Sequence, residues 1–214
     1  MKPLKTVEVP VNNSPDQDAI YSSPARFTVV VKGRRWGLTK GIANSFIKEA
    51  LQGKAKKFLW VDTVNSNIDR YIERYFVTAL KDLPKELWQW RKQMSILQIR
   101  DAYIDFRSAD NPYSIEGQGY ERIFLNEAGI SLRNEYLWEN AIRPMLWDNP
   151  DSRLILGGTP KGRGLFYQLA LRGQDPEQED WSYFHFSSFD SPYVDKEQLQ
   201  KDIASMNEMA VRQE

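Results

Sequence analysis

Short apolar runs alternate along the chain with longer segments in which apolar residues recur at helical spacing. The run 27–31 is followed over 39–51 by apolar residues three or four positions apart, which predicts a strand and then an amphipathic helix. The run 57–62 and the helical pattern of 69–83, which Pro84 ends, repeat this order. Such alternation is typical of a mostly parallel sheet with crossover helices.

The rest of the chain continues this alternation with one antiparallel feature. The segments 95–99 and 103–106 are close enough to pair as a hairpin added to the sheet. Further elements are the loop 108–119, the strands 122–125, 153–156 and 181–186, a helix over 132–147 that Pro144 should kink or end, and a helix from Asp195 onward. The pattern predicts an α/β fold with a mostly parallel central sheet flanked by helices.

Composition narrows the possible functions. The 214 residues suffice for one domain with a buried core. Lysine plus arginine balance aspartate plus glutamate at 29 each, so contact with nucleic acid would require a local patch. There is no cysteine, and His185 is the single histidine, which argues against thiolate or histidine-rich metal sites. No apolar run approaches the roughly 20 residues needed to span a bilayer, so we expect a soluble, cytoplasmic protein.

The segment Lys32–Lys40 has the features of a phosphate-binding loop. It lies between a predicted strand and a predicted helix, where successive backbone N–H groups and the helix N-terminus attract anions. Gly33 and Gly37 permit the unusual backbone angles that such a loop needs. Thr39 stands where a hydroxyl would hold Mg²⁺.

The loop departs from the usual G-x-x-x-x-G-K-[ST] pattern at Leu38, where a lysine would reach the outer phosphates. A cation is still required, and both Lys32 and Lys40 are candidates. We favour Lys32, because Lys40 lies inside the helix. The alternative interpretation is an ordinary glycine-bearing turn with solvated basic residues. The loop alone does not decide between the two interpretations, and the motifs later in the chain favour the phosphate-binding loop.

Polar residues follow two later strands. Asn126 and Glu127 end the strand 122–125, and in a phosphate-transfer site the first would contribute to the Mg²⁺ shell and the second would orient or deprotonate the attacking water. Thr159 follows the strand 153–156 and is placed to sense a γ-phosphate. A helix cap and a simple turn are the alternatives for these segments. The order of the three motifs at the carboxyl ends of parallel strands favours a nucleotide site.

These residues resemble the large subunit of tailed-phage terminases. The sequence Gly-Arg-Arg-Trp-Gly-Leu-Thr is similar to that family's Gly-Arg-Arg-x-Gly-Lys-Thr loop, and Asn126-Glu127-Ala128 to its Asp-Glu-Ala. Further segments that resemble the family are Pro15–Gln17, Phe106–Pro112, Gly158–Gly162 and Arg212–Glu214. The resemblance spans nearly the whole chain.

The resemblance implies an ASCE-type P-loop NTPase that uses ATP and Mg²⁺. The implied nucleotide-binding residues are Gln17, at the adenine, and the loop residues Lys32, Gly33, Arg34, Arg35, Trp36, Gly37, Leu38, Thr39 and Lys40. The implied catalytic residues are Glu127, Arg34 and Lys32, the residues of the metal shell are Thr39 and Asn126, and Thr159 is the coupling residue. Glu116 stands where some members have an arginine that reaches a neighbouring subunit, so that assignment does not transfer.

The resemblance also implies a biological setting. ATP hydrolysis by residues 1–214 would drive double-stranded DNA into a procapsid, with 1–26 as an adenine-side segment and 195–214 as a helix leading to a nuclease domain that we expect to be absent. Expected partners are portal protein, the small terminase subunit and further copies in a ring, with a monomer in isolation. The expected location is the host cytoplasm, without membrane association and outside the mature virion.

Two other functions remain open from the sequence. The first is a nucleotide-binding module with weak or no hydrolysis, which the substitutions at positions 38 and 126 make credible. The second is a helicase-type remodeller, which would use the same type of ATP site. Trp88 and Trp90 could stack on nucleic acid, although we favour a role in covering a helix end. His185 is interpreted as a packed surface or core histidine rather than a catalyst.

Overall fold

The computed structural model describes residues 9–115 and 119–211. The strands in these ranges are β1 Phe27–Lys32, β2 Lys57–Asp62, β3 Trp88–Arg91, β4 Ile96–Ile99, β5 Ala102–Ser108, β6 Arg122–Leu125, β7 Arg153–Gly158 and β8 Trp181–Phe186. They form one sheet in the order β3-β4-β5-β2-β6-β7-β1-β8. The pairs from β5 through β8 in this order are parallel, and β3, β4 and β5 pair antiparallel. The predicted α/β fold with an antiparallel hairpin addition is confirmed.

Helices cover both faces of the sheet. They are α1 Pro15–Ser22, α2 Leu38–Gln52, α3 Asn65–Tyr71, α4 Thr78–Leu80, α5 Ala128–Ser131, α6 Arg143–Met145, α7 Leu165–Gln174, α8 Lys196–Ser205 and α9 Glu208–Val211. Alternate residues of β2 enter different cores, since Phe58 and Trp60 pack with α2 and Leu59 and Val61 pack with α7. The period of two in the strands therefore produces two apolar cores, one on each side of the sheet.

Two predicted helices have different bounds in the structure. The pattern at 69–83 belongs to a helical segment that begins at Asn65, passes through the π-helical turn Ile72–Val77 and ends at Leu80. The helix predicted over 132–147 is interrupted at 132–134, after which π-helical Leu137–Ile142 continues into α6 with Pro144 in its last turn. Pro144 lacks the N–H group that a longer helix would need, and the helical segment ends one residue later, at Met145, in agreement with the prediction that Pro144 should kink or end the helix.

Three elements were not predicted. Helix α1 begins at a Ser14 capping box in which the Gln17 side chain accepts from the Ser14 N–H. Helix α7 is the crossover between β7 and β8, which a parallel arrangement on either side of β1 requires. Trp88 and Trp90, which were predicted to cover a helix end, lie in the edge strand β3, where Trp88 is buried in the same core as Leu80 at the end of α4.

The register of the parallel strands aligns their carboxyl ends. Val31 of β1 lies opposite Gly158 of β7, and Val61 of β2 lies opposite Leu125 of β6. The residues that follow these pairs therefore emerge at one edge of the sheet, where ligands bind in open α/β folds. No helix within 9–115 and 119–211 combines the length and apolar character needed to cross a bilayer.

A charged cluster at the opposite edge ties helices to strands. Glu49 of α2 accepts hydrogen bonds from Tyr21 at 2.8 Å and from Nε of Arg122 at 2.9 Å, and its other oxygen lies 3.7 Å from Arg153. Burial and the neighbouring Glu49 carboxylate raise the pKa of Tyr21 well above its ordinary value. The cluster joins α1 and α2 to the first residues of β6 and β7.

We expect Glu49→Gln to lower the free energy of unfolding by about 1.5–3 kcal/mol, because charge-assisted hydrogen bonds to Arg122 and Tyr21 become neutral ones. Urea denaturation measures this change. The control is Glu73→Gln, which alters an exposed glutamate and should stay within about 0.5 kcal/mol. Equal unfolding free energies for the two variants would contradict a structural role for the cluster.

Candidate active site

The segment between β1 and α2 has the geometry of an anion-binding loop. Gly37 has φ of 101°, and Arg35 has φ of 61°, so both lie in the left-handed region. Gly37 is the N-cap of the 15-residue α2, whose N-terminus receives no hydrogen bond from a capping side chain. The first N–H groups of α2 can therefore donate to an anion, and the partial positive charge of the helix end would support it.

Side chains from distant segments hold the carbonyl oxygens of this loop. The hydrogen bonds run from Nε2 of Gln17 to the Gly37 oxygen at 2.9 Å, from Oγ of Ser188 to the Arg34 oxygen at 2.8 Å, and from Oγ of Ser191 to the Arg35 oxygen at 2.9 Å. All three donors are almost fully buried. These three bonds engage only carbonyl oxygens, so they hold the loop in shape without using its N–H groups.

Two loop side chains face the protein interior. Trp36 is 1% exposed and stacks on Phe186 with ring centroids 4.3 Å apart. Leu38 packs over Gly157 of β7, where a Cβ would come within 2.2 Å of Leu38 Cδ2. Position 38 thus points toward the core, so Trp36 and Leu38 are placed to offer a ligand only their backbone N–H groups.

Lys32 and Glu127 meet across the mouth of the loop. Lys32 ends β1, and its Nζ lies 3.5 Å from Oε1 of Glu127, with side-chain exposures of 8% and 25%. Lys40 lies instead on the surface of α2, where its Nζ sits 4.9 Å from the ring centre of Tyr193. Of the two candidate lysines, Lys32 is the one that contacts another predicted catalytic residue.

Thr39 and Asn126 lie beside this pair. The Thr39 hydroxyl is 3.5 Å from Oδ1 of Asn126, at the limit of a hydrogen bond. Both oxygens are hard ligands of the type that Mg²⁺ prefers, and Mg²⁺ usually takes only one or two protein groups besides water and phosphate. Among residues 9–115 and 119–211 no group of three or more His, Cys, Asp and Glu side chains could hold a metal, so the donor set fits Mg²⁺ with nucleotide phosphates better than a metal held by protein alone.

Asp62 is a residue of this site that sequence reasoning did not assign. It ends β2, is 0% exposed, and its Oδ2 accepts a hydrogen bond of 2.7 Å from Nδ2 of Asn126. Burial raises the pKa of Asp62 above its ordinary value, and the hydrogen bond from Asn126 opposes that rise. A carboxylate at the end of a predicted parallel strand was the available signal.

The turn that carries Glu127 packs closely against Thr159. Glu127 has φ of 49° and forms the N-cap of α5. At Gly129 a Cβ would lie 2.7 Å from the backbone oxygen of Thr159, and at Gly158 a Cβ would lie 3.0 Å from the Ala128 nitrogen. Only glycine permits this approach, so the predicted catalytic and coupling residues share one tightly packed unit.

The other predicted residues occupy various places. Arg34 and Arg35 are exposed at the loop, and Gly33 donates its N–H to the Phe186 oxygen at 2.8 Å. His185 is exposed on β8 and its ring stacks on Tyr183, which agrees with the surface form of the prediction of a packed surface or core histidine. Glu116 and the segment Arg212–Glu214 lie outside the described residues.

Solved structures similar to this chain are ATPase domains of phage large terminases. The ATPase domain of the Thermus phage P74-26 large terminase has a TM-score of 0.73 and 21% identity, over 98% of this chain and 92% of that chain. The large terminase of bacteriophage HK97 has a TM-score of 0.64 and 15% identity, over 91% of this chain and 43% of that chain. A similar large terminase from a thermophilic bacteriophage has been solved with ADP and with ATP-γ-S. The chain therefore has the fold of these ATPase domains, and the predicted resemblance in fold is confirmed.

Two curated proteins match part of the chain. The large terminase subunit of Escherichia phage T5 is 28% identical over 123 residues, which are 58% of this chain and 28% of that protein. The tRNA 5-methylaminomethyl-2-thiouridine biosynthesis bifunctional protein MnmC of Aeromonas hydrophila is 31% identical over 123 residues, 55% of this chain and 18% of that protein. The chain spans less than a third of either relative. No protein-family model matches it.

We expect Gly129→Ala to lower the free energy of unfolding by about 1–3 kcal/mol, because the added methyl group meets the Thr159 backbone rather than open space. Helix propensity alone predicts the opposite sign. Gly164→Ala is the matched control, since a Cβ there meets nothing within 4 Å. Urea denaturation compares the variants, and an unchanged or raised stability for Gly129→Ala would contradict the close packing.

Proposed function

We propose that the chain is the ATP-hydrolysing motor domain of a phage DNA-packaging terminase. The observation that carries the proposal is the contact between Lys32 and Glu127, 3.5 Å apart at the mouth of a phosphate-type loop. A lysine at this position and a carboxylate facing it are what phosphoryl transfer to water requires, namely a cation for the outer phosphates and a group that handles the attacking water. The terminase fold supports the same function.

In this proposal the loop backbone binds the phosphates, and Lys32 and Glu127 act on the terminal phosphate and the attacking water. The N–H groups of the loop and the first turn of α2 bind the phosphates, and the hydrogen bonds to Gln17, Ser188 and Ser191 keep those groups oriented. When ATP binds, the Lys32 ammonium leaves its contact with the Glu127 carboxylate and contacts the terminal phosphate instead. This exchange leaves Glu127 available to orient and deprotonate a water molecule.

The arginines of the loop extend the phosphate site. Arg34 and Arg35 are exposed at its rim, where a guanidinium can make charge-assisted hydrogen bonds to phosphate oxygens. We assign Arg34 to stabilisation of the charge that develops during transfer. Gln17 borders the loop through its bond to Gly37, which supports its placement beside the bound nucleotide.

Thr39 and Asn126 would hold Mg²⁺ together with the phosphates. When bound, the ion neutralises phosphate charge and orients the oxygens of the transferred group. Thr39 contributes a hydroxyl at the start of α2, and Asn126 contributes an amide oxygen 3.5 Å from it. Thr159 lies on the unit that contains Glu127, so a movement of Glu127 during hydrolysis is passed to Thr159.

The similarity to terminases supports a packaging role and a set of partners for the chain. We propose double-stranded DNA as the translocated substrate, portal protein and the small terminase subunit as partners, and a ring of copies on the procapsid in the host cytoplasm. In isolation we expect a monomer, which sedimentation measures. The alternative, a nucleotide-binding module with little hydrolysis, is favoured by one observation: position 38 carries a core-facing leucine instead of lysine.

Glu127→Gln tests the catalytic assignment. The amide keeps the size of the side chain but cannot accept a proton, so we expect phosphate release to fall by about 10²–10⁴-fold while ATP binding is kept. Mg²⁺-dependent phosphate release from ATP measures the rate. Glu135→Gln, an exposed glutamate near the site, is the control. A Glu127→Gln rate equal to that of the control would refute the role of Glu127, and a wild-type chain that binds ATP without hydrolysis would support the alternative.

Lys32→Ala tests which lysine reaches the phosphates. Loss of a charge-assisted contact worth about 1.5–3 kcal/mol corresponds to a fall in ATP affinity of about 10- to 100-fold. Lys40→Ala removes the other candidate lysine and should have a far smaller effect. Fluorescence titration with an ATP analogue compares the two variants. The opposite ranking would transfer the assignment to Lys40.

A further inference from the structure

The buried carboxylate of Asp62 has no part in the chemistry described so far. Removing a carboxylate from water is unfavourable unless hydrogen bonds compensate it. Oδ1 of Asp62 is engaged by its own turn, through the Thr63 N–H at 2.8 Å and Nδ2 of Asn67 at 3.3 Å. Oδ2 is directed elsewhere, to Nδ2 of Asn126 at 2.7 Å.

This contact fixes the orientation of the Asn126 amide. Val61 lies opposite Leu125 in the parallel pair β2–β6, so Asp62 and Asn126 follow side by side. Because a carboxylate only accepts hydrogen bonds, the amide must turn its NH₂ group toward Asp62. Its oxygen is then directed to the Thr39 hydroxyl, 3.5 Å away.

The negative charge of Asp62 also acts through the amide. A carboxylate bound to the N–H side of an amide polarises it and increases the electron density on its oxygen, as carboxylates do for metal-binding histidines. Position 126 itself is neutral, and Asp62 is the carboxylate in direct contact with it. The charge that a metal shell needs is thus one hydrogen bond behind the amide.

We propose that Asp62 is a positioning residue for Mg²⁺ at this site: it orients the Asn126 amide, polarises its oxygen and supplies the negative charge that position 126 lacks. The inference rests on the proposed binding of Mg²⁺ and ATP. It adds the end of β2 to the elements that support the metal shell, beside Thr39 at the start of α2 and Asn126 after β6.

The test measures Mg²⁺-dependent nucleotide affinity without hydrolysis. A fluorescent, non-hydrolysable ATP analogue is titrated into wild type and Asp62→Asn, once in EDTA and once in saturating Mg²⁺. Loss of a partner that supports a metal ligand typically lowers metal affinity by about 10- to 100-fold. We therefore expect the Mg²⁺-dependent increase in nucleotide affinity to be smaller by this factor in Asp62→Asn than in wild type. Nucleotide affinity in EDTA should be the same in both.

A carboxylate exchange guards against a purely structural effect. In Asp62→Asn/Asn126→Asp the amide and the carboxylate trade places, so both volume and charge of the pair are kept. We expect this double variant to recover the Mg²⁺-dependent increase. Asn126→Asp alone puts two carboxylates in contact, which disfavours ionisation of both. We therefore expect a smaller Mg²⁺-dependent increase in affinity for this variant than for the exchange. Asp69→Asn, at an exposed aspartate of α3, should behave as wild type.

The outcomes separate the inference from the proposed function. If wild type binds the analogue more tightly with Mg²⁺ and Asp62→Asn keeps that increase, Asp62 is only a structural residue and the inference fails while the ATPase proposal stands. If Asp62→Asn loses the increase and the exchange does not recover it, the inference also fails. If wild type gains no affinity from Mg²⁺, the proposed function fails as well.

Discussion

Parallel register is the constraint on which the candidate site depends. Val61 lies opposite Leu125, and Leu125 lies opposite Leu156. Asp62 and Asn126 therefore follow their strands at one level, while β7 continues to Gly158 and β1 to Lys32 beside it. Each of these strands is buried on both sides, and a shift by one residue would turn its apolar side chains to the wrong face. The register is therefore fixed, and it places the polar residues that follow the strands next to each other. The cores of the sheet thus fix the geometry of the site.

The phosphate-type loop is held from outside its own sequence. Gln17 reaches it from α1, and Ser188 and Ser191 reach it from the turn after β8. Tyr193 closes on Gly37, where a Cβ would come within 2.5 Å of its ring. The segment that leads into α8 therefore packs against the loop itself.

Much of the fold could be predicted from the sequence, because the strands are apolar runs and α2 has a strong helical period. The loop could be predicted as well, since its glycines and Thr39 lie in a continuous segment. The pairing of Asp62 with Asn126 could not, because it depends on β2 lying next to β6, and the residues are far apart in the chain. The same holds for Ser188 and Ser191. For Leu38 the sequence shows the departure from the motif but not its reason. The structure supplies the reason, because the Leu38 side chain packs over Gly157 in the core.

The most direct measurement is a crystal structure with a non-hydrolysable ATP analogue and Mg²⁺. We expect the Lys32 ammonium to leave Glu127 and contact the terminal phosphate, the metal to lie between the phosphates and the oxygens of Thr39 and Asn126, and Leu38 to stay over Gly157. A structure in which Lys32 remains paired with Glu127 while Lys40 or another cation binds the terminal phosphate would contradict the proposed roles of Lys32 and Glu127.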